Sequence, residues 1–269
     1  MKIVDEAIVS IITLLSDFGL KDPYVAEMKA VILNLSPNVE VVDISHQIEK
    51  FSVKMGAYVL SSVAPYFPKG TIHVAVVDPG VGTERQPILI QTENGYLIGP
   101  DNGVLALTVR NTAGRKRVRR IVNKKLMMSN VSNTFHGRDI FAPAAAHLAN
   151  GVSPDEFGPE ISQIVTPGFA KIVRRKGMLV GEVIYIDDFG NIITSFGEEE
   201  IGFMKSERTI DLKLKNARLR LKFCKTYGEA DLKEPMALIG SHNFLEISIN
   251  QGNAAKVFKI KSGDKITLL

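Results

Sequence analysis

The 269-residue chain has no tryptophan, a single cysteine (Cys224) and almost no charge excess, with 33 Lys and Arg against 29 Asp and Glu. One cysteine excludes an internal disulfide. Together with an acidic N-terminus (Met1 to Glu6) ahead of an apolar stretch too short for a signal core, this predicts a reducing, cytoplasmic setting. No apolar run reaches the length that crosses a bilayer, so no membrane partner is expected. Glycine and proline, at 22 and 12, are ordinary and exclude collagen and low complexity. What is present is a 45% hydrophobic chain long enough for two domains and a large core.

Generic catalytic signatures are also missing. Gly80-Val81-Gly82-Thr83-Glu84-Arg85 lacks the third glycine of a dinucleotide loop, and there is no P-loop, HExxH or G-x-S-x-G. The histidines at 46, 73, 136, 147 and 242 do not pair at ligand spacing, so no metal site and no cofactor is expected. Net charge of +4 demands no nucleic acid. Basic residues cluster at Arg110, Arg115, Lys116, Arg117, Arg119 and Arg120, but no aromatic interleaves them to stack bases. Alternation in Arg117-Val118-Arg119 and Arg120-Ile121-Val122 predicts instead an edge strand whose charged outward positions prevent pairing.

Short β-branched runs alternate with helical patterns in the first half, the signature of a parallel α/β domain. Ile8 to Leu15 reads as a buried strand followed by the loop Ser16-Asp17-Phe18-Gly19; Asp22 caps and Pro23 opens a helix, with Val25, Met28, Ile32 and Leu33 on its apolar face. Val39 to Ile44, Val53 to Val63 and Thr71 to Val77 give strand, helix and strand, the last ending in Asp78-Pro79-Gly80-Val81-Gly82. Two strands flank the Asn94-Gly95 turn, Pro100-Asp101-Asn102-Gly103 opens a helix through Val109, and Ile140 to Ala149 forms an alanine-rich helix closed by Asn150-Gly151. Beyond Gly177 strands dominate, at spacings that fit a small antiparallel barrel or a sandwich. The expected fold class is α/β, with an N-terminal Rossmann-like, mostly parallel sheet domain (1–160), a linker (161–176) and a smaller C-terminal antiparallel β-barrel-like domain (177–269).

Polar residues at strand ends, where open α/β sheets bind ligands, are the candidates for function. Asp17, Asp78 and Asp101 each sit beside glycine or proline in such loops; singly each reads as a turn carboxylate, together they read as a polar cleft. His136 precedes a helix in Phe135-His136-Gly137-Arg138-Asp139, Asp187-Asp188-Phe189-Gly190-Asn191 reads as a hairpin turn, and Asn250 to Asn253 as a polar loop.

These motifs, with Gly99 to Gly103, occur in order over nearly the whole chain and closely resemble the S-adenosyl-L-methionine (SAM) hydroxide adenosyltransferases, the adenosine-forming SAM hydrolase family related to fluorinases and chlorinases. The resemblance implies that SAM and water give adenosine and L-methionine by in-line attack at the ribose C5′, with SAM as substrate and no cofactor. The family's catalytic triad looks like Asp78, Arg85 and His136 here. Asp17 resembles the carboxylate that grips the ribose diol, and Asp22 the one that approaches the methionine ammonium. Asp187 and Ser241 resemble residues holding the amino-acid end, Asn191 and the backbone near Ala254 the adenine-edge contacts, and Phe189 and Tyr227 the flanking aromatics. Phe51 stands where the halogenases place an aromatic near the ribose.

Departures from the halogenase pattern favour the hydrolase. His136-Gly137 replaces a Tyr-Ser pair, and Asp78-Pro79-Gly80-Val81 replaces a loop bearing a threonine, so the hydroxyl donors that cradle a halide are missing. His242 replaces an arginine near the methionine carboxylate. The resemblance also implies a homotrimer with sites at subunit interfaces. The competing expectations are a halide-using, chlorinase-like adenosyl transferase and a non-enzymatic SAM or adenosine-binding protein.

Overall fold

The computed structural model describes residues 9–202, 208–215 and 217–269; the acidic N-terminus and Ile8 lie outside them. The chain divides into two compact units between Thr166 and Pro167.

The first unit is built on β1 (Ile11–Ser16), α1 (Tyr24–Leu35), β2 (Glu40–Ser45), α2 (Val53–Val63), β3 (Thr71–Val76), β4 (Pro87–Gln91), β5 (Gly95–Pro100), α3 (Ala106–Asn111), β6 (Arg117–Arg120), α4 (Ala142–Ala149) and the two-residue β7 (Glu160–Ile161). Its sheet runs β2-β1-β3-β5-β4-β6-β7. The first four of these strands are parallel, as their unbroken apolar runs require when helices cover both faces. α1 and α4 pack on one face, where Met28, Ile32, Phe141 and Leu148 meet Ile12, Leu14, Val74 and Val76. α2 and α3 cover the other, where Leu60, Val59 and Val109 meet Leu15, Ala75, Val77 and Leu97.

Three local expectations change. Asp22 does not cap α1: the N-cap position is Pro23, no side chain bonds the first turn, and Asp22 is exposed. The Arg117–Arg120 strand is not an edge, because β7 pairs with it at Val118 and Arg119, and carboxylates of Asp155 and Glu160 meet Arg117 and Arg119. The helix expected from Ile140 starts earlier, as a π-helical turn over Gly137–Phe141 that runs into α4.

The second unit contains β8 (Val173–Arg175), β9 (Met178–Ile186), β10 (Ile192–Gly197), the short α5 (Glu198–Ile201), β11 (Thr209–Leu214), β12 (Ala217–Phe223), β13 (Pro235–Ile239), β14 (Phe244–Ile249), α6 (Ala254–Phe258) and β15 (Lys265–Leu268). Strand order β10-β14-β13-β12-β11-β15-β9 closes on itself through a β9–β10 pairing, making a seven-stranded barrel with β8 appended to β9. All its ladders are antiparallel except β12–β13. Phe196, Ile210, Leu212, Leu245, Ile247 and Ile266 fill the interior.

Candidate active site

In the first unit the chain leaves β1, returns as β2 on one side of it, and crosses to β3 on the other. That reversal opens a crevice at the carboxyl ends of β1 and β3, the place where open α/β sheets take ligands. Asp17 follows β1 and Asp78 follows β3, so topology alone brings them to the crevice mouth. A cavity of about 420 Å3 lies there, and its walls include Asp17, Lys50, Phe51, Asp78, Phe135 and His136. Phe135 packs edge to face against Phe18 and Tyr24, which tilt against each other, with centroids 5.2 to 5.7 Å apart.

Arg85 joins the two catalytic candidates on the cavity wall. Its Nε donates to Asp78 Oδ1 at 3.0 Å and Oδ2 at 2.9 Å, Nη2 also bonds Asp78 Oδ2, and Nη2 donates to His136 Nδ1 at 2.7 Å. Both partners of this ion pair are buried, with 8% of the Arg85 and 5% of the Asp78 side chain exposed. Burial pushes the His136 imidazole below its usual pKa; the Arg85 charge adds to this, and Asp78 and Asp139 oppose it. A guanidinium has no lone pair to offer, so His136 Nδ1 is an acceptor and the neutral ring carries its proton on Nε2.

The local backbone explains the placement. Gly82 adopts φ +77°, and a Cβ there would lie 2.2 Å from the Asn133 carbonyl oxygen, so the Asp78–Arg85 loop packs directly on the strand of chain leading to His136. The π-helical turn after His136 inserts an extra residue in the turn, a feature that recurs at functional sites. It is pinned by Asp139, which is buried, binds Arg138 Nε at 2.7 Å and accepts from Ser132 N–H at 2.8 Å.

Asp17 is buried, and its Oδ2 accepts from Phe51 N–H at 2.8 Å, which holds Phe51 at φ 65° with the residue 70% exposed. The other carboxylate oxygen remains for a ligand. Lys50, which carried no sequence signal, lines the same cavity and bonds the Asp17 carbonyl. Asp22 does not line it. Asp101 also stands apart: it accepts from Val165 N–H at 2.8 Å, and burial raises its pKa, so the expected three-aspartate cleft contains two.

In the second unit, Asp187 clamps the β9–β10 turn: Oδ1 accepts from Asn191 N–H at 2.8 Å and Oδ2 from Asn191 Nδ2 at 2.9 Å. Phe189 stands at the tip, 79% exposed. Ala255 N–H donates to Gly190 O at 2.9 Å, and a Cβ on Gly190 would collide with Asn253, so the turn rests on the start of α6, where Ala254 lies. Asn253, read as loop, is the α6 N-cap, its side chain accepting from Lys256 N–H. Tyr227 and Ser241 lie on the 3-10 turn after β12 and on the β13–β14 turn; Ser241 is exposed. Among the described residues no group of three or more His, Cys, Asp or Glu is arranged to hold a metal ion, and no helix is long and apolar enough to cross a membrane.

A three-layer α/β unit with an Asp–Arg–His chain at its switch point, followed by a closed barrel, defines a particular class of two-domain protein. Sequence models of that class match this chain: the SAM hydroxide adenosyltransferase N-terminal domain over residues 12–158 and the corresponding C-terminal domain over residues 181–267. The chain belongs to the SAM hydroxide adenosyltransferase family. It is 39% identical to a protein of Methanocaldococcus jannaschii named (R)-S-adenosyl-L-methionine hydrolase, over 97% of each chain. It is 36% identical to the protein of that name from Thermus thermophilus, over 95% of this chain and 98% of the relative. A fluorinase of Actinoplanes sp. aligns at 26% identity over 96% of this chain and 97% of its own. The crystal structure of an uncharacterized conserved protein from Thermotoga maritima superposes with a TM-score of 0.84 at 35% identity, covering 96% of this chain and 99% of that one.

Proposed function

We propose that this protein is a SAM hydrolase, converting SAM and water to adenosine and L-methionine. The observation that carries the reading is the Asp78–Arg85–His136 chain on a cavity wall of a protein whose relatives, at up to 39% identity, bear that name.

The reaction sets one difficulty. The sulfonium leaves as a neutral thioether, taking the electrons of the C5′–S bond, so no general acid is required; the oxygen nucleophile needs help. A neutral His136 with Nδ1 held by Arg85 presents Nε2–H as a donor. It therefore acts by stabilising a hydroxide-like oxygen and aiming it at C5′, and does not take its proton. Asp78 fixes Arg85, and its carboxylate on the same wall accepts the hydrogen that the oxygen retains. Water loses one proton to solvent and keeps the other, which becomes the 5′-hydroxyl hydrogen of adenosine, and this balances the reaction.

Substrate roles follow. Asp17 takes the ribose diol with its free oxygen and Phe51 lies against the sugar. Asp187 and Ser241 hold the amino-acid end, Asn191 and the backbone near Ala254 read the adenine edge, and Phe189 and Tyr227 flank the base. Asp22 approaches the ammonium, a role its exposure permits once substrate is bound. The reading needs no metal or cofactor. A homotrimer, in which one subunit's first unit meets its neighbour's second, accounts for the exposure of Phe51 and Phe189 in a single chain. A cytoplasmic setting, where SAM is made, completes the reading.

The test is chromatography of protein incubated with the (R) epimer of SAM in halide-free buffer, beside His136→Ala. Equimolar adenosine and methionine, lost in the variant, are expected. Bound nucleoside without turnover overturns the reading in favour of a binding protein, and 5′-chloro-5′-deoxyadenosine formed only with added chloride overturns it in favour of a halogenase.

A further inference from the structure

A buried carboxylate in the barrel lies outside every role given above. Glu246 is on β14, where Leu245, Ile247 and Ile249 point into the barrel core. Successive strand residues alternate faces, so Glu246 and Ser248 lie on the opposite surface. There Glu246 stands across from Leu238 of β13 and Ile193 of β10, two buried aliphatic residues, and is itself only 7% exposed. A carboxylate costs too much in such surroundings without hydrogen-bond donors. Two converge on Oε1: the Tyr227 hydroxyl at 2.7 Å and the Ser248 hydroxyl at 2.7 Å.

The other oxygen reaches the β13–β14 turn. A Cβ on Gly240 would lie 2.6 Å from Glu246 Oε2, so the carboxylate is seated directly against the residue that precedes Ser241. One side chain thus touches both the turn carrying Ser241 and the phenol of Tyr227, a half-exposed residue.

We infer that Glu246 is a positioning residue for the substrate: by holding the Tyr227 hydroxyl from below and filling the space under Gly240, it fixes the ring and the turn in the places from which they contact SAM. The inference rests on the assignment of Tyr227 and Ser241 to the substrate site. A phenol that donates to a carboxylate oxygen makes a short, directional bond, and it leaves the ring one orientation. Losing it frees the ring to rotate, a cost met when substrate binds and not in the chemical step. Glu246 touches no reacting atom.

The experiment measures KM and kcat for SAM in the intact protein with Glu246→Leu, Glu246→Gln, Tyr227→Phe, Tyr227→Ala and the Tyr227→Phe/Glu246→Leu pair, with each variant's melting temperature recorded. Glu246→Leu and Tyr227→Phe are expected to raise KM on the order of tenfold, the worth of one such hydrogen bond, with kcat changed far less. The pair is expected to behave as Glu246→Leu alone, since once the acceptor is gone Tyr227→Phe removes nothing further. Glu246→Gln, whose amide oxygen still accepts from the phenol, is expected to recover most of the KM even where its melting temperature is lowered. A merely structural role predicts the reverse, with KM unmoved while melting temperature falls, and that result overturns the inference. Tyr227→Ala separates the two layers. If it raises KM while Tyr227→Phe and Glu246→Leu do not, the inference fails and the substrate assignment stands. If Tyr227→Ala leaves KM unchanged, the assignment itself fails.

Discussion

Arg85 Nη2 donates to His136 Nδ1 across 2.7 Å, and the same guanidinium binds both oxygens of Asp78. This bond decides what the histidine does, because it consumes the only lone pair that a ring protonated at Nε2 possesses. Removing the guanidinium, as in Arg85→Gln, takes away a charge that lowers the His136 pKa while leaving Asp78, which raises it. The histidine pKa is then higher than in the wild type. Activity that needs the neutral ring is lost as pH falls through that pKa, so the acid limb of the kcat/KM profile moves to higher pH in the variant. The plateau falls by about 100-fold or more, in line with the loss of an electrostatic positioning group. Arg85→Lys is not expected to rescue, since one ammonium cannot bind a carboxylate bidentately and also meet an imidazole. An unmoved acid limb in Arg85→Gln counts against the tautomer argued here.

Gly82 makes a second, more remote demand on that geometry. In Gly82→Ala the new methyl meets the Asn133 carbonyl oxygen and the backbone keeps φ +77°, so the loop holding Asp78 and Arg85 must withdraw from the segment before His136. A displacement of an ångström at such a site costs on the order of 100-fold in rate. Gly80→Ala, whose Cβ would make only ordinary 3.4 Å contacts with Arg85 and Thr83, is the control, expected to keep the wild-type melting temperature. Equal kcat in Gly82→Ala and wild type rules the coupling out.

The parts of this molecule legible in its sequence are those governed by neighbours along the chain. The apolar runs of β1 and β3 and the Asn94-Gly95 hairpin declare themselves because their signals are local. Placement at strand ends likewise points to Asp17 and Asp78. What is hidden depends on pairing across long separations. β7 has two residues and no period to read, yet it turns Arg117–Arg120 from an edge strand into an interior one. Asp101 resembles Asp17 in its setting, but a bond to Val165 takes it out of the cleft. The π-helical turn at Gly137–Phe141 depends on an extra residue that helical spacing does not reveal, and Lys50 reaches the cavity through a backbone turn without a motif. The site roles of Asp78, Arg85 and His136 come from resemblance, and sequence spacing alone leaves His136 as a lone histidine.

His73 predicts a pH dependence of stability separate from that of activity. It is buried on β3, bonded to Thr13 Oγ1 at 2.8 Å, and burial pushes its pKa down to about 4 from the ordinary 6.5. Between those values the unfolded chain binds a proton that the folded one refuses, so stability is full above about pH 6.5 and is lost as pH falls toward 4. The shift corresponds to about 3 kcal/mol once both states are protonated. Urea unfolding at a series of pH values, compared with His73→Gln, is expected to show a shallower acid slope in the variant over that window. Parallel slopes in the two proteins place the acid lability elsewhere.

Asp17 and Phe51 give the last prediction, in which stability and binding separate. Asp17 uses Oδ2 to hold Phe51 N–H at 2.8 Å, and on the proposed function its other oxygen takes the ribose. In Asp17→Asn the amide oxygen can still accept from Phe51, but the atom facing the sugar becomes a donor against hydroxyl donors. KM is expected to rise about 10- to 100-fold, the worth of a hydrogen bond to a charged group, with little change in melting temperature. Phe51→Gly acts oppositely on the fold. Glycine adopts φ 65° without the roughly 1 kcal/mol cost that a side chain carries there, so the variant melts no lower than wild type, yet it lacks the exposed ring that the proposed function sets against the sugar, and its KM is expected to rise as well. A substrate analogue lacking the ribose 2′-hydroxyl checks the assignment, because it leaves Asp17 one fewer donor to grip. The Asp17→Asn penalty is then expected to shrink with that analogue, and an undiminished penalty shows that Asp17 acts on the loop of Phe51 and not on the sugar.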